Sequence, residues 1–284
     1  MSFVRYYSVA RTPVKLAYDY IVGNKANAST RSPIVILHGL FGNKLNNRTV
    51  GRGLNQNLGR DVYLVDLRNH GDSPRATPHD YEAMRLDIEG FLDEHRIANP
   101  IILGHSMGAK VAMRCCLYNP TRYSMLVSME NAPVSVLPNG KFVEYIDTLQ
   151  RQVGRKITLR EAEQELAVHE KNQLILKFLM TILRRSRGTG EIESKLPLDT
   201  LRDAIVKGKI AEWDVPGEKQ YTHPSLFLRG TESPYIADEY IVPISTQFPN
   251  FELRDIKGGH YINVENSKAC IDLISEFIDR KEDL

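Results

Sequence analysis

Three segments hold the residue types that acyl transfer needs. Gly104-His105-Ser106-Met107-Gly108 follows the apolar run Ile101 to Leu103 and opens a helical stretch that continues to Leu117. In such a strand-turn-helix setting the glycines permit a tight turn that lifts the serine hydroxyl clear of the backbone, and the helix N-terminus favours developing negative charge. Ser106 is the expected nucleophile. A tetrahedral oxyanion needs two backbone donors, and these are expected from Met107 and from Leu40, the latter in Gly39-Leu40-Phe41-Gly42 after the run Ile34 to His38. The base should follow the serine on a loop leaving the last strand. His260 fits, in Lys257-Gly258-Gly259-His260 between the run Phe251 to Asp255 and the last helical stretch. Of the other histidines, His38 and His105 belong to glycine motifs, His70 lies in a turn, and His79, His95, His169 and His223 read as superficial or structural.

A carboxylate must hold the imidazole tautomer and stabilise its charged form. Three positions offer one. Glu130 ends the run Met125 to Met129. Glu232 lies in Arg229-Gly230-Thr231-Glu232-Ser233-Pro234, after the run Ser225 to Leu228, where Ser233 stands at the place an aspartate often takes. Asp255 reads as an ordinary strand residue. The spacing leaves Glu130 and Glu232 both open.

The elements that must position these groups alternate along the chain. Apolar runs at Val14 to Val22, Ile34 to His38, Val62 to Asp66, Ile101 to Gly104, Met125 to Met129, Ser225 to Leu228 and Phe251 to Asp255 are mostly continuous. Such runs predict strands buried on both faces of a mostly parallel sheet. Helical spacing at Asp80 to Arg96, Met107 to Tyr118 and Tyr261 to Ile278 completes an α/β pattern. From Pro138 to Glu218 no strand pattern is seen, and helical segments are expected at Phe142 to Val153, Leu159 to Leu166 and Asn172 to Arg185. The expected division is a core of 19–137 and 219–284 with a helical lid at 138–218, whose stripe of Leu174, Ile175, Phe178, Leu179 and Ile182 reads mainly as packing against the core.

Composition removes several classes of function. The 284 residues carry 37 Lys and Arg against 35 Asp and Glu, interspersed, so no basic face for nucleic acid is expected. The longest nearly apolar run, Leu174 to Leu183, is about half the roughly 20 residues of a spanning helix. Cys115, Cys116 and Cys270 lack metal-ligand spacing and suggest a reduced compartment. Gly51-Arg52-Gly53 and Gly42-Asn43-Lys44 fall short of nucleotide-binding fingerprints. Arg68, Arg114, Arg184, Arg185 and Arg187 read as solvated charge, and the acceptor patterns at Asn27-Ala28-Ser29 and Asn47-Arg48-Thr49 as chance. The first 18 residues hold Arg5, Arg11 and Lys15 and no acid, with Arg5-Tyr6-Tyr7-Ser8 like a matrix-peptidase site; a remnant transit peptide with a mitochondrial location and a basic entry strand are both open, and the first is taken as the expectation.

Together with Asp66-Leu67-Arg68-Asn69-His70-Gly71-Asp72-Ser73, the serine and Leu40 segments resemble the α/β-hydrolase superfamily, in the branch of fungal mitochondrial ethanol acetyltransferases and related short-chain esterases. The resemblance implies a catalytic triad of Ser106, Glu130 and His260, although similar members usually carry aspartate at the position of Glu130. It implies transfer of an acetyl group from acetyl-CoA, as co-substrate rather than resident cofactor, to a short alcohol such as ethanol. Water in place of the alcohol would make the protein a carboxylesterase or thioesterase with the same residues.

Overall fold

The computed structural model describes residues 11–24, 31–136 and 140–282. Along the chain these form β1 (Tyr18–Ile21), β2 (Ile34–Leu37), α1 (Arg48–Leu58), β3 (Val62–Val65), α2 (Tyr81–Glu94), β4 (Ile101–His105), α3 (Met107–Tyr118), β5 (Met125–Met129), α4 (Lys141–Gln152), α5 (Leu159–Leu166), α6 (Gln173–Met180), β6 (Leu183–Arg185), β7 (Ile192–Ser194), α7 (Leu198–Val206), β8 (Ser225–Gly230), α8 (Ile241–Gln247), β9 (Phe251–Ile256), α9 (Ile262–Glu265) and α10 (Ser267–Glu282). Seven strands make one sheet in the order β1-β3-β2-β4-β5-β8-β9, parallel except for β1 against β3.

The continuous apolar runs have their reason in this sheet. Side chains alternate between its faces, so Val35 and Leu37 join a core with α2, α3 and the helices after β5, while Ile34 and Ile36 join another with α1 and α10. In the central strands β2, β4 and β5 both faces are buried and most positions are apolar, whereas the edge strands β1 and β9 keep polar residues at exposed positions. Helix α1 lies outside the expected pattern because only Val50, Leu54 and Leu58 are large and apolar within it. Gly51 and Gly53 are what let it approach its neighbours: an added Cβ would lie 2.8 Å from Leu64 Cδ2 and 2.4 Å from Ile271 Cδ1, respectively.

Three expectations are corrected. The segment between β5 and β8 contains strands after all, since β6 and β7 pair antiparallel across Gly188-Thr189-Gly190, with Gly190 at φ +73°. Three-residue strands are too short to show alternation, and the helix expected to reach Arg185 ends at Met180. The first strand is only Tyr18–Ile21, because the Val14 N–H donates to Asp87 Oδ1 at 2.7 Å and the Ala17 N–H to Ser73 Oγ at 2.9 Å instead of to a ladder. The last helix starts at Ser267, cut from α9 by the non-helical Asn266, φ −140°. Asn47 is buried, which fits no glycan. Arg5 to Ser8, Asn27 to Ser29 and the boundary at Pro138 lie outside the described residues.

Candidate active site

Strand β4 delivers Ser106 into a turn at φ +53°, ψ −117°, before α3 begins at Met107. Two glycines make this possible. A Cβ on Gly104 would lie 2.2 Å from the Gly108 carbonyl oxygen, and one on Gly108 would lie 2.6 Å from that of His38, so strand and helix meet more closely than any side chain allows. The turn is held on both sides: the Ser106 N–H donates to the Met129 carbonyl at 2.9 Å, and Asn131 Nδ2 donates to the Ser106 carbonyl at 3.0 Å.

The structure brings together three of the residues expected from sequence. His260 Nε2 lies 2.8 Å from Ser106 Oγ, and its Nδ1 lies 3.2 Å from Glu130 Oε2. Glu130 is fully buried at the end of β5, with its backbone in the left-handed region at φ +59°. Its Oε1 accepts the Gly230 N–H at 2.5 Å, and its Oε2 accepts the Ser233 hydroxyl. Glu232 is exposed, and Asp255 pairs with Arg229 at 2.7 Å on the surface. Neither reaches the imidazole.

Burial sets the protonation of the site. It pushes the Glu130 carboxyl up, against the hydrogen bonds from Ser233 and Gly230 that favour the anion. It pulls the His260 imidazole below its ordinary value, so the ring is neutral at rest, as a general base must be. Tyr235 stacks on that ring, centroids 3.8 Å apart and planes 22° apart. His105, lowered to about 4 by burial, holds the loop through Nε2, 2.7 Å from the His260 carbonyl. A carbonyl only accepts, so His105 Nε2–H donates there.

The loop of Gly39 to Gly42 lies against Ser106. Its Phe41 N–H donates to His70 Nε2 at 3.1 Å and its Gly42 N–H to the Gly39 carbonyl at 3.0 Å, which leaves Leu40's amide without a partner among the described residues of these three. Met107 is the first residue of α3, so its N–H has no carbonyl to meet within the helix. His38 accepts the Leu67 N–H at 3.0 Å, and His38 and His70 are both held neutral by burial, at about 4 and about 3. Sequence reasoning saw these two histidines only as motif and turn residues. It missed the roles of Tyr235, Ser233 and Asn131 as well. The placement of Ser233 beside Glu232 was the signal for one of them.

Ser106 opens onto a cavity of about 240 Å³ whose wall includes Phe142, Leu174, Phe178, Tyr261 and Val264. The lid stripe therefore divides its work: Leu179 and Ile182 are buried in the core, while Leu174 and Phe178 face the cavity. Two arginines read as solvated are corrected. Arg68 is buried against Asp87 at 2.5 and 2.7 Å, and Arg114 is buried between Glu82 and Asp214. These pairs tie distant segments together. Among the described residues no cluster of three or more His, Cys, Asp or Glu could hold a metal, and no helix is long and apolar enough to cross a membrane.

This geometry permits nucleophilic attack by Ser106, proton transfer through His260 and oxyanion binding by amides, the parts of ester hydrolysis and acyl transfer. Comparison with known proteins agrees. The family described as alpha/beta hydrolase fold matches residues 32–267. A Saccharomyces cerevisiae protein described as a probable alcohol acetyltransferase is 48% identical over 96% of this chain and 86% of its own. An sn-1-specific diacylglycerol lipase of Xenopus laevis is 33% identical over 94% of this chain and 84% of its own. Among solved structures, a marine microorganism esterase superimposes with a TM-score of 0.83 at 29% identity, covering 93% of this chain and 99% of that one. The chain belongs to the α/β-hydrolase family.

Proposed function

We propose that this protein transfers an acetyl group from acetyl-CoA to a short alcohol such as ethanol, through an acetyl-serine on Ser106. The observation that carries the serine chemistry is the alignment of Ser106 Oγ, His260 and buried Glu130 at the edge of an apolar cavity. His260 takes the Ser106 proton as Oγ attacks the thioester carbonyl. The Leu40 and Met107 amides hold the oxyanion, and the carbon–sulfur bond breaks as coenzyme A leaves with that proton. The Glu130 carboxylate steadies the imidazolium formed in between. The alcohol then gives its proton to His260 and attacks the acetyl-serine carbonyl; the bond to Ser106 Oγ breaks, Oγ takes that proton back from His260, and the ester leaves.

The 48% identity to a probable alcohol acetyltransferase supports the transferase reading. A second reading, a carboxylesterase or thioesterase with water as acceptor, is favoured by the likeness to the esterase and the lipase. Gas chromatography of protein incubated with acetyl-CoA and ethanol, beside a count of released thiol, separates the two. Ethyl acetate in proportion to thiol is expected, thiol without ester means a thioesterase, and turnover by Ser106→Ala near the parent rate would remove the mechanism. Residues 11–18 are tied into the fold through Val14, Leu16 and Ala17, so the support for mitochondrial import is the acid-free Met1 to Ala10 with Arg5. A carboxyl-terminal fluorescent fusion that stayed outside mitochondria would count against it.

A further inference from the structure

Ser106 stands where two cavities meet. The 240 Å³ cavity has His260 in its wall; a smaller one, about 50 Å³, does not, and while Leu40 borders both, only the smaller is lined by Met107, Tyr81, Tyr235 and Lys110. Because His260 protonates the departing group, that group must lie on the His260 side, in the large cavity. The part of the acyl group beyond its carbonyl then points into the small one. At the roughly 10–15 Å³ that a water-sized group requires, the space takes about four non-hydrogen atoms.

Lys110 makes that space unlike an ordinary acyl pocket. It sits one turn past Ser106 on α3, only 2% exposed. Its Nζ donates to the Ala211 carbonyl at 3.0 Å and lies 5.6 Å from the centre of the Tyr81 ring. An ammonium has three donors, and a carbonyl and a ring face leave it short of an anion. The other large buried cations have theirs: Arg60 pairs with Glu282, Arg68 with Asp87, and Arg114 with Glu82 and Asp214. Among the described residues no carboxylate pairs with Lys110. A buried charge without a counter-ion is costly, and the open side of this one is a cavity that touches the nucleophile.

Resting on the serine acyl-transfer reading, we propose that the small cavity is a subsite for a short acyl group ending in a carboxylate, of malonyl size, with Lys110 as the counter-ion that selects it. The covalent steps are unchanged: Ser106 Oγ forms the new acyl bond, the bond to the leaving oxygen or sulfur breaks, and the Ser106 proton leaves with that atom by way of His260. The carboxylate takes no part in bond making and accepts a hydrogen bond from Nζ.

The test compares monoethyl malonate with ethyl isovalerate, which has the same branching and number of non-hydrogen atoms without the charge, by ethanol release from the full chain. At about pH 7 kcat/KM should favour the malonate ester at least about tenfold, the smaller effect expected of a charge-assisted hydrogen bond. The groups facing Lys110 are Tyr81 and Tyr235, both raised by burial, Tyr235 to about 12, so neither titrates below pH 9. Burial lowers the Lys110 ammonium to about 8. The preference should therefore shrink by about pH 9 in the unaltered protein, and Lys110→Met should abolish it. Equal or better use of isovalerate by the unaltered protein would overturn the proposal, as would a preference that neither pH nor Lys110→Met moves; the latter would leave Lys110 as a tie to Ala211 only. Neither probe contains coenzyme A. Failure of ester formation from acetyl-CoA with the malonate preference intact would remove the transferase reading alone, and the opposite pattern would remove the subsite alone.

Discussion

The Ser233 hydroxyl is hydrogen-bonded to Oε2 of Glu130, the same carboxylate oxygen that faces His260. The side chain at the usual place of the acid thus braces an acid supplied from a different strand. Glu130→Ala should lower kcat by about 10²–10⁴, whereas Glu232→Ala should leave it within a factor of about two. Adding Ser233→Asp to Glu130→Ala returns a carboxylate beside Nδ1 and should recover at least about tenfold. Steady-state kinetics with melting temperatures checks all three. A Glu232→Ala enzyme that fails while Glu130→Ala works would reassign the acid.

Replacing Tyr235 should move a pH profile. The ring stacked on His260 keeps water from the imidazole, which burial holds below 6.5. Since the base works only when neutral, the acid limb of kcat/KM should lie below 6.5 in the parent and move up in Tyr235→Ala as the ring is rehydrated. An unmoved limb would mean that Tyr235 only fills space.

His70→Ala strands the Phe41 N–H in the interior, at a cost of about 1–3 kcal/mol, and frees the loop that presents Leu40. The expected signature is kcat reduced more than KM, together with a lower Tm. A change in Tm alone would separate the loop from catalysis.

Acid should unfold the protein early. His38, His70, His79 and His105 are buried with values below the 6.5 of an exposed imidazole. The unfolded chain therefore takes up their protons first, so their contribution is complete above about pH 6.5 and is lost as pH falls towards 4. Each would cost about 1.4 kcal/mol per unit of pH over that interval. Denaturant titrations between about pH 7 and about pH 5 would show this, and equal stability at both would contradict it.

Two neighbours on α6 should separate packing from substrate contact. Leu179 is buried, so Leu179→Ala should cost about 2–5 kcal/mol. Phe178 faces the cavity, and Phe178→Ala should change KM or the split between alcohol and water as acceptors more than Tm. Equal losses of Tm would deny the division.

Much of this was legible before any coordinates, because the strands buried on both faces write continuous apolar runs, and because Ser106 and His260 sit in glycine settings with few alternatives. What could not be read has physical causes. Helix α1 packs through absent side chains at Gly51 and Gly53. The β6–β7 hairpin is shorter than the period that would reveal it. Arg68 and Arg114 look like any surface arginine until their carboxylates arrive from distant segments. The choice between Glu130 and Glu232 depends on a backbone at φ +59°, which residue type does not announce in a glutamate.

The chain leaving the lid is fastened at three places within four residues: the Ile210 carbonyl to the Tyr81 hydroxyl, the Ala211 carbonyl to Lys110, and, two residues on, the Trp213 N–H to Ser135 Oγ. Mechanically this is a hinge pin set into the nucleophile helix and its neighbour. Leu174 and Phe178 lie on the cavity wall away from that fastening, so changing them reshapes the space before Ser106 without loosening the lid's tie to the nucleophile helix.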